Sequence, residues 1–375
     1  MVLSFGLDFP YPHPPYPDTG RGGRFIIKLM FKLAIDIENF LAVKRTKVRS
    51  NNNIVFIIAP NRAGKTQIML FLYTFFWSLW REQKENKPVF SGINSKLKNV
   101  FLVKKLKELI SWGTNYCRFS VKIGDKYEYL FYQDKKKDKL EKLGTEFSFP
   151  KEVNLSKSPI YISPAGLGDY YKGIWAIKKY YENWRLVSEA TTDLLHDLFI
   201  LASENIEPAE KNEKLISIFE SMFQAKFYIK NERVYVQEKG RNYGIEKAAS
   251  GLKSLAWLYL ILKYNLLGEI IFIDEPEVNL HPEYINKLAE FIYKLSKNRK
   301  IFIATHSDYL LESFNKFIKS KNLTVDVWIG RLDKDGAIYE GITVDKDNLI
   351  DTTPLNEVYI KIVKELFGYD KEIEV

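Results

Sequence analysis

The sequence predicts an α/β fold in which a mixed sheet is covered by helices, with an antiparallel β subdomain and a helical arm inserted into it. Three observations predict it. Ile54 to Ile58 is a continuous, β-branched-rich run, as in a strand buried on both faces, and it stops at a polar, Gly-containing loop. Ile270 to Ile273 is a second apolar run, ending in Asp274-Glu275. From Gly251 to Lys319 helical and strand-like patterns alternate, the order of a parallel sheet with crossover helices.

The 375 residues can bury one large core or two smaller ones, since 46% are hydrophobic and 15% aromatic. The formal charge of +9 suits a polyanionic partner such as nucleic acid, and equally suits a lysine-rich surface kept for solubility. The single cysteine, Cys117, excludes an internal disulfide and fits a reducing compartment. No signal peptide is legible after Met1, and the longest mainly apolar stretch, Ile68 to Trp80, has 13 residues, too few to span a bilayer. A cytoplasmic protein without a membrane partner is expected.

In chain order, residues 1–24 carry five prolines between Pro10 and Pro17 and then Gly20, Gly22 and Gly23, an extended segment that is either a partner-binding arm or a tail lying on its own domain. Phe25 to Phe40 predicts one or two strands, followed by the basic residues Lys44, Arg45, Lys47 and Arg49. Ile68 to Trp80 reads as the helix after the loop, and the polar stretch Arg81 to Lys98 as the end of the first unit. Asn99 to Trp112 has helical spacing. Cys117 to Gln133 alternates around Gly124-Asp125 and predicts a hairpin, with the charge run Asp134 to Lys139 as a solvated turn. Pro159 to Ser163 is a brief strand leading to a Gly-rich loop. Helices are expected at Trp175 to Trp184 and Glu189 to Gln224, a hairpin-like pair at Phe227 to Gln237, a final hairpin around Asp333 to Gly336, and a closing helix from Pro354 to Leu366. The expected division is a proline-rich extension (1–24), a core built from 25–80 and 226–375, and an inserted arm or lid (81–225).

The loop Ala59 to Thr66 matches the phosphate-binding pattern G-x-x-x-x-G-K-[ST] with Ala59 at the first glycine. Asn61, Arg62, Ala63, Gly64, Lys65, Thr66 and Gln67 are therefore the expected nucleotide contacts. Gly64 allows backbone N–H groups close to the phosphates, Lys65 reaches the β and γ oxygens, and the Thr66 hydroxyl ligates Mg²⁺. Asp274 and Glu275 at the tip of a strand supply the carboxylates: Asp274 for the metal, Glu275 to orient and deprotonate the attacking water. His306 follows the strand Lys300 to Ala304, where a neutral imidazole would bond a γ-phosphate oxygen. His281 and His306, two of the four histidines, fall in loops after adjacent strands.

Taken together, the loop APNRAGKT, the segment Ala249-Ser-Gly-Leu-Lys-Ser254 at the head of a helix, IIFIDEP, Glu277-Val-Asn-Leu-His-Pro-Glu283 and Thr305-His-Ser307 resemble the ATP-binding-cassette class of P-loop NTPases. Within it the chain is similar to the OLD-like group, akin to the ATPase subunits of prokaryotic DNA repair and phage defence. The resemblance covers roughly residues 33 to 80 and 226 to 366. It implies ATP and Mg²⁺ as cofactors, His306 as the switch histidine, Ser250 and Gly251 as a signature contacting the γ-phosphate held by a second subunit, and Asn279 to Pro282 as a loop across a homodimer interface. It departs from the pattern at Ala59, at Leu252, which stands where transporters carry a second glycine, and at the Q-loop. Gln133 comes too early for that glutamine, and the loop Ser163 to Gly173 has none. With nine residues after Leu366, no C-terminal Toprim nuclease module is expected.

The expected function is a Mg²⁺-dependent ATPase forming ATP-dependent, head-to-tail homodimers and acting on nucleic acid, alone or with a nuclease. A nucleotide-gated scaffold regulating a bound effector is the alternative, and a transporter motor is disfavoured by the signature. Lys104 to Lys107, Lys135 to Lys139 and Lys44 to Arg49 are either phosphate contacts or solvated faces.

Overall fold

Buried residues at every second position from Leu33 in β1 (Leu33–Phe40), and at Thr46, Val48 and Ser50 in β2 (Val43–Ser50), turn one face of the first two strands to the core. They belong to a computed structural model that describes residues 31–85, 90–125, 127–143, 153–164, 187–203, 210–231 and 233–352. The proline-rich start, the glycine-rich loop beyond Pro164, the helix expected at Trp175 to Trp184 and the closing helix lie outside these residues. β3 (Ile54–Ile58) is buried along its whole length and feeds α1 (Lys65–Glu85). Next come α2 (Phe90–Phe101), the hairpin β4 (Tyr116–Ile123) and β5 (Tyr127–Asp134), β6 (Glu141–Leu143) and β7 (Ile160–Ile162). Helices α3 (Glu189–Ser203) and α4 (Glu210–Phe223) precede a three-stranded sheet of β8 (Ala225–Lys230), β9 (Arg233–Glu238) and β10 (Arg241–Gly244). The remainder alternates: α5 (Ser250–Lys263), β11 (Ile270–Asp274), α6 (Pro282–Leu295), β12 (Lys300–Thr305), α7 (Asp308–Lys321), then the hairpin β13 (Val325–Asp333) and β14 (Gly336–Val344).

Eleven strands form one mixed sheet in the order β6-β5-β4-β1-β2-β14-β13-β3-β12-β11-β7. β13, β3, β12, β11 and β7 run parallel, and the hairpins supply the antiparallel wing. β3 shows why the centre must be apolar on both faces. Ile54, Phe56 and Ile58 enter a core shared with α5, α6 and α7, while Val55 and Ile57 enter a second core around α1 and the β1–β4–β5 wing. The predicted mixed α/β architecture is the one observed.

Several local expectations shift. α1 runs on to Glu85 and a separate helix α2 occupies Phe90–Phe101, where the polarity of 81–98 suggested a boundary. The helix expected at Asn99 to Trp112 stops at Phe101, because Leu102 adopts φ +58° and the Val103 N–H bonds the Lys98 carbonyl, which closes the helix with a Schellman turn. Leu106 and Leu109 are buried by one turn of 3₁₀ helix, whose three-residue period also fits their spacing. The helical stretch 189–224 is two helices. Residues 116–143 and 160–162, expected in the inserted arm, contribute strands to both ends of the main sheet.

Candidate active site

Three neighbouring parallel strands, β3, β12 and β11, deliver the predicted side chains to one edge of the sheet. After β3 the chain turns through Arg62 (φ +69°) and Gly64 (φ +86°) before α1 begins. Only a glycine fits the second position without strain, and a Cβ there would also lie 2.8 Å from Gln67 Oε1 and 2.9 Å from Val43 Cγ2. The loop is braced by neighbours that sequence reasoning did not single out. The Tyr339 hydroxyl donates to the Ala63 carbonyl (2.9 Å), and Gln67 Oε1 accepts from Ala42 N (3.0 Å). Gln67 thus ties the helix start to the β1–β2 turn. Asn61 and Arg62 are exposed, and the first N–H groups of α1 have no intrahelical acceptor, which makes the loop a natural anion site.

Lys65 is buried, and its Nζ donates to the carbonyls of Ala59 (2.9 Å) and Pro60 (3.4 Å) and reaches His306 Nε2 (2.6 Å). Burial pulls its pKa down, partly offset by Glu275, Asp274 and Glu277. The Thr66 hydroxyl donates to Asp274 Oδ2 (2.8 Å), so the two expected metal ligands, one at the start of α1 and one at the end of β11, lie against each other. Burial raises the Asp274 pKa against the pull of hydrogen bonds from Tyr161 and Thr66. Asp274 Oδ1 is buried and receives no hydrogen bond among the described residues. An orphaned carboxylate oxygen beside a hydroxyl is the hard-oxygen donor set Mg²⁺ prefers alongside substrate phosphates. These residues fit the cation.

Glu275 takes φ +49°, a left-handed turn straight after β11, and its N–H bonds the Ala304 carbonyl (2.9 Å). That turn aims its carboxylate at His306, with Oε1 3.3 Å from Nε2. His306 has its pKa lowered by burial and by Lys65, with Glu275 opposing. Glu277, given no role by the sequence reading, fixes the histidine's backbone: its Oε1 accepts from the Thr305 hydroxyl (2.6 Å) and from His306 N (3.1 Å). Its place in DEPE was the available signal. Tyr161, also missed, donates its hydroxyl to Asp274 Oδ2 (2.8 Å) and stood unremarked inside the short strand IYI.

The structure therefore brings Lys65, Thr66, Asp274, Glu275 and His306 together. Ser250 and Gly251 lie elsewhere, in the first turn of α5, where a Cβ on Gly251 would meet the Asn279 carbonyl at 2.9 Å. Among the described residues no hydrogen bond or ion pair joins them to the phosphate loop. They sit against the Asn279–Leu280 segment that the resemblance assigned to an interface. His281 caps α6 by accepting from Glu283 N (3.4 Å). Gln133 is buried on β5, six strands from β3.

Comparison with known proteins adds to this geometry. A profile of the family described as "AAA domain, putative AbiEii toxin, Type IV TA system" matches residues 121–312, which include Ser250, Gly251, Asp274, Glu275 and His306. No curated protein matches the chain. Among solved structures, an Smc head bound to the C-winged helix domain of ScpA is similar at 13% identity, with a TM-score of 0.51, over 84% of this chain and 98% of that one. The Smc head domain with an extended coiled coil bound to the C-terminal domain of ScpA, derived from Pyrococcus furiosus, aligns at 13% identity with a TM-score of 0.47 over 90% and 100%. The SMC head domain from Thermotoga maritima aligns at 12% with a TM-score of 0.44 over 83% and 98%. The first of these shows a shared fold. No helix among the described residues is long and apolar enough to cross a membrane.

Proposed function

Because the chain belongs to the family described as "AAA domain, putative AbiEii toxin, Type IV TA system" and carries an ABC/AAA-type P-loop fold, we propose that it binds and hydrolyses ATP with Mg²⁺. The observation that carries this reading is the convergence of Lys65, Thr66, Asp274, Glu275 and His306 at one end of three adjacent strands. Lys65 and the N–H groups of the loop bind the β and γ phosphates. Thr66 and Asp274 hold the cation, which neutralises charge developing on those phosphates. Glu275 orients the attacking water and takes its proton, and His306 bonds a γ-phosphate oxygen through a neutral ring.

Ser250 and Gly251 are exposed or half-buried and away from this loop, which supports a second copy presenting them to the γ-phosphate. ATP would then favour a head-to-tail homodimer by binding the closed pair more tightly. Nucleic acid is the proposed partner, with the OLD-like affinity and a nuclease or effector alongside. The fold supports this at one place: Asp138 pairs with Lys98 (2.8 Å) and accepts from Leu106 N, which draws the exposed lysines of 104–107 and 135–139 into one patch. By contrast, Lys47 and Arg45 on β2 stand across from Asp36 and Glu38 on β1, so part of that cluster faces opposite charge. The family description names a putative toxin, which favours the second reading, a nucleotide-gated scaffold for an effector.

Phosphate release measured with and without DNA tests both. Turnover lost in Lys65→Ala supports the ATPase; partner binding that needs ATP but survives loss of hydrolysis supports the scaffold. DNA affinity that stays flat between low and physiological salt would sink the lysine patch as a phosphate-binding surface.

A further inference from the structure

Asp274 is held unevenly. Its Oδ2 accepts two hydrogen bonds, from the hydroxyls of Thr66 and Tyr161, each at 2.8 Å, whereas Oδ1 is buried without a partner among the described residues. A carboxylate with one oxygen doubly engaged cannot rotate without breaking both bonds, which leaves Oδ1 as the oxygen free of protein donors among the described residues.

Tyr161 is built for this contact. It lies on β7 opposite Phe272 of β11, so its side chain shares a sheet face with Phe272 and with Asp274 two residues further on. Two strand residues rise about 6.6 Å, a step that the length of a tyrosine bridges to place its hydroxyl on the carboxylate. The ring is 4% exposed and meets Tyr73 edge-on, with centroids 6.2 Å apart. Tyr73 is itself anchored through its hydroxyl to Asp193 (2.5 Å), and Asp193 pairs with the buried Lys96.

We propose that Tyr161 is a positioning residue for the divalent cation: by occupying Oδ2 it turns Oδ1 of Asp274 toward the metal shared with Thr66 and the phosphates. The proposal rests on the ATPase reading. A phenylalanine would fill the same space and keep the contact with Tyr73 but remove the hydroxyl that donates to Asp274.

The test is a Mn²⁺ titration followed by electron paramagnetic resonance, on the full chain with a non-hydrolysable ATP analogue bound. Tyr161→Phe is expected to weaken Mn²⁺ binding by about 10- to 100-fold, the usual loss when a residue orienting a metal ligand is removed. Analogue affinity in EDTA is expected to stay at the wild-type level. Tyr73→Phe, which disturbs the same aromatic layer without touching Asp274, is expected to keep wild-type Mn²⁺ affinity. Wild-type Mn²⁺ binding in Tyr161→Phe overturns the proposal, as does an equal loss in Tyr73→Phe or in EDTA. If the wild-type chain itself binds the analogue with no effect of Mn²⁺, the ATPase reading falls and the role of Tyr161 falls with it.

Discussion

Lys65 Nζ lies 2.6 Å from His306 Nε2, and the same Nε2 lies 3.3 Å from Glu275 Oε1. An ammonium can only donate, so its contact uses the lone pair of a neutral imidazole. Protonating His306 would replace that contact with repulsion of Lys65 and a pull on Glu275. The histidine's folded pKa is lowered by burial and by Lys65, so between its unfolded and folded values the unfolded chain binds the proton and the fold does not. Stability from this residue is full above about pH 6.5 and declines as pH falls toward the folded value. Turnover is expected to hold through that window and to fall only at lower pH, as the folded histidine itself takes up the proton. Denaturation and phosphate-release profiles from pH 5 to 8 check this, and His306→Gln is expected to flatten the difference.

Glu275→Gln keeps the shape of the turn at φ +49° but removes the base. Turnover is expected to fall by at least about two orders of magnitude. ATP binding is expected to persist and to hold the chain as a dimer, read by gel filtration with and without nucleotide. A variant that turns over normally removes Glu275 from its role.

Gly251→Ala places a methyl 2.9 Å from the Asn279 carbonyl, backbone that is itself at φ +65° and has little room to retreat. The clash is expected to cost about 1–3 kcal/mol locally. Because Gly251 does not touch the phosphate loop, affinity of the monomer for ATP should be unchanged while ATP-dependent dimerisation weakens by tenfold or more. Isothermal titration and analytical ultracentrifugation separate the two.

Lys300 is 1% exposed, donates to the Asn52 carbonyl (2.8 Å) and sits over the Phe31 ring. Burial lowers its pKa to about 8, against the pull of Asp326. Between that value and about 10.4 the unfolded chain binds a proton that the fold does not, so this residue makes stability rise with pH, by up to about 1.4 kcal/mol per unit. Lys300→Met is expected to remove that slope. Urea midpoints at pH 7.5, 8.5 and 9.5, compared between the two chains, measure it.

The strands that carry the site were legible because each is buried on both faces and ends abruptly, β3 in a polar, Gly-containing loop and β11 in a pair of carboxylates. Lys65, Thr66, Asp274 and Glu275 follow from that pattern and from fixed spacing. Tyr161 and Glu277 did not, since their roles come from strand adjacency and from a side chain folding back on a neighbouring loop, neither of which leaves a local signature. The break at Leu102 was hidden for a related reason: leucine seldom adopts a left-handed turn, and the apolar spacing beyond it fits a 3₁₀ turn as well as an α-helix. The strands at 116–143 fall in a stretch that carries none of the shared motifs and so reads as an insertion, yet β4 pairs with β1 from Arg118 to Ile123.

The strand order also governs when the molecule can come together. β1 and β2 reach β3 only through β14 and β13, segments that leave the ribosome more than 250 residues after β3 does. Until Val325 to Val344 is synthesised, the wing and the phosphate-loop strand are two sheets with open edges facing each other. The last hairpin to emerge is the keystone, and chains stalled or cut before it would expose backbone ready to pair with another copy.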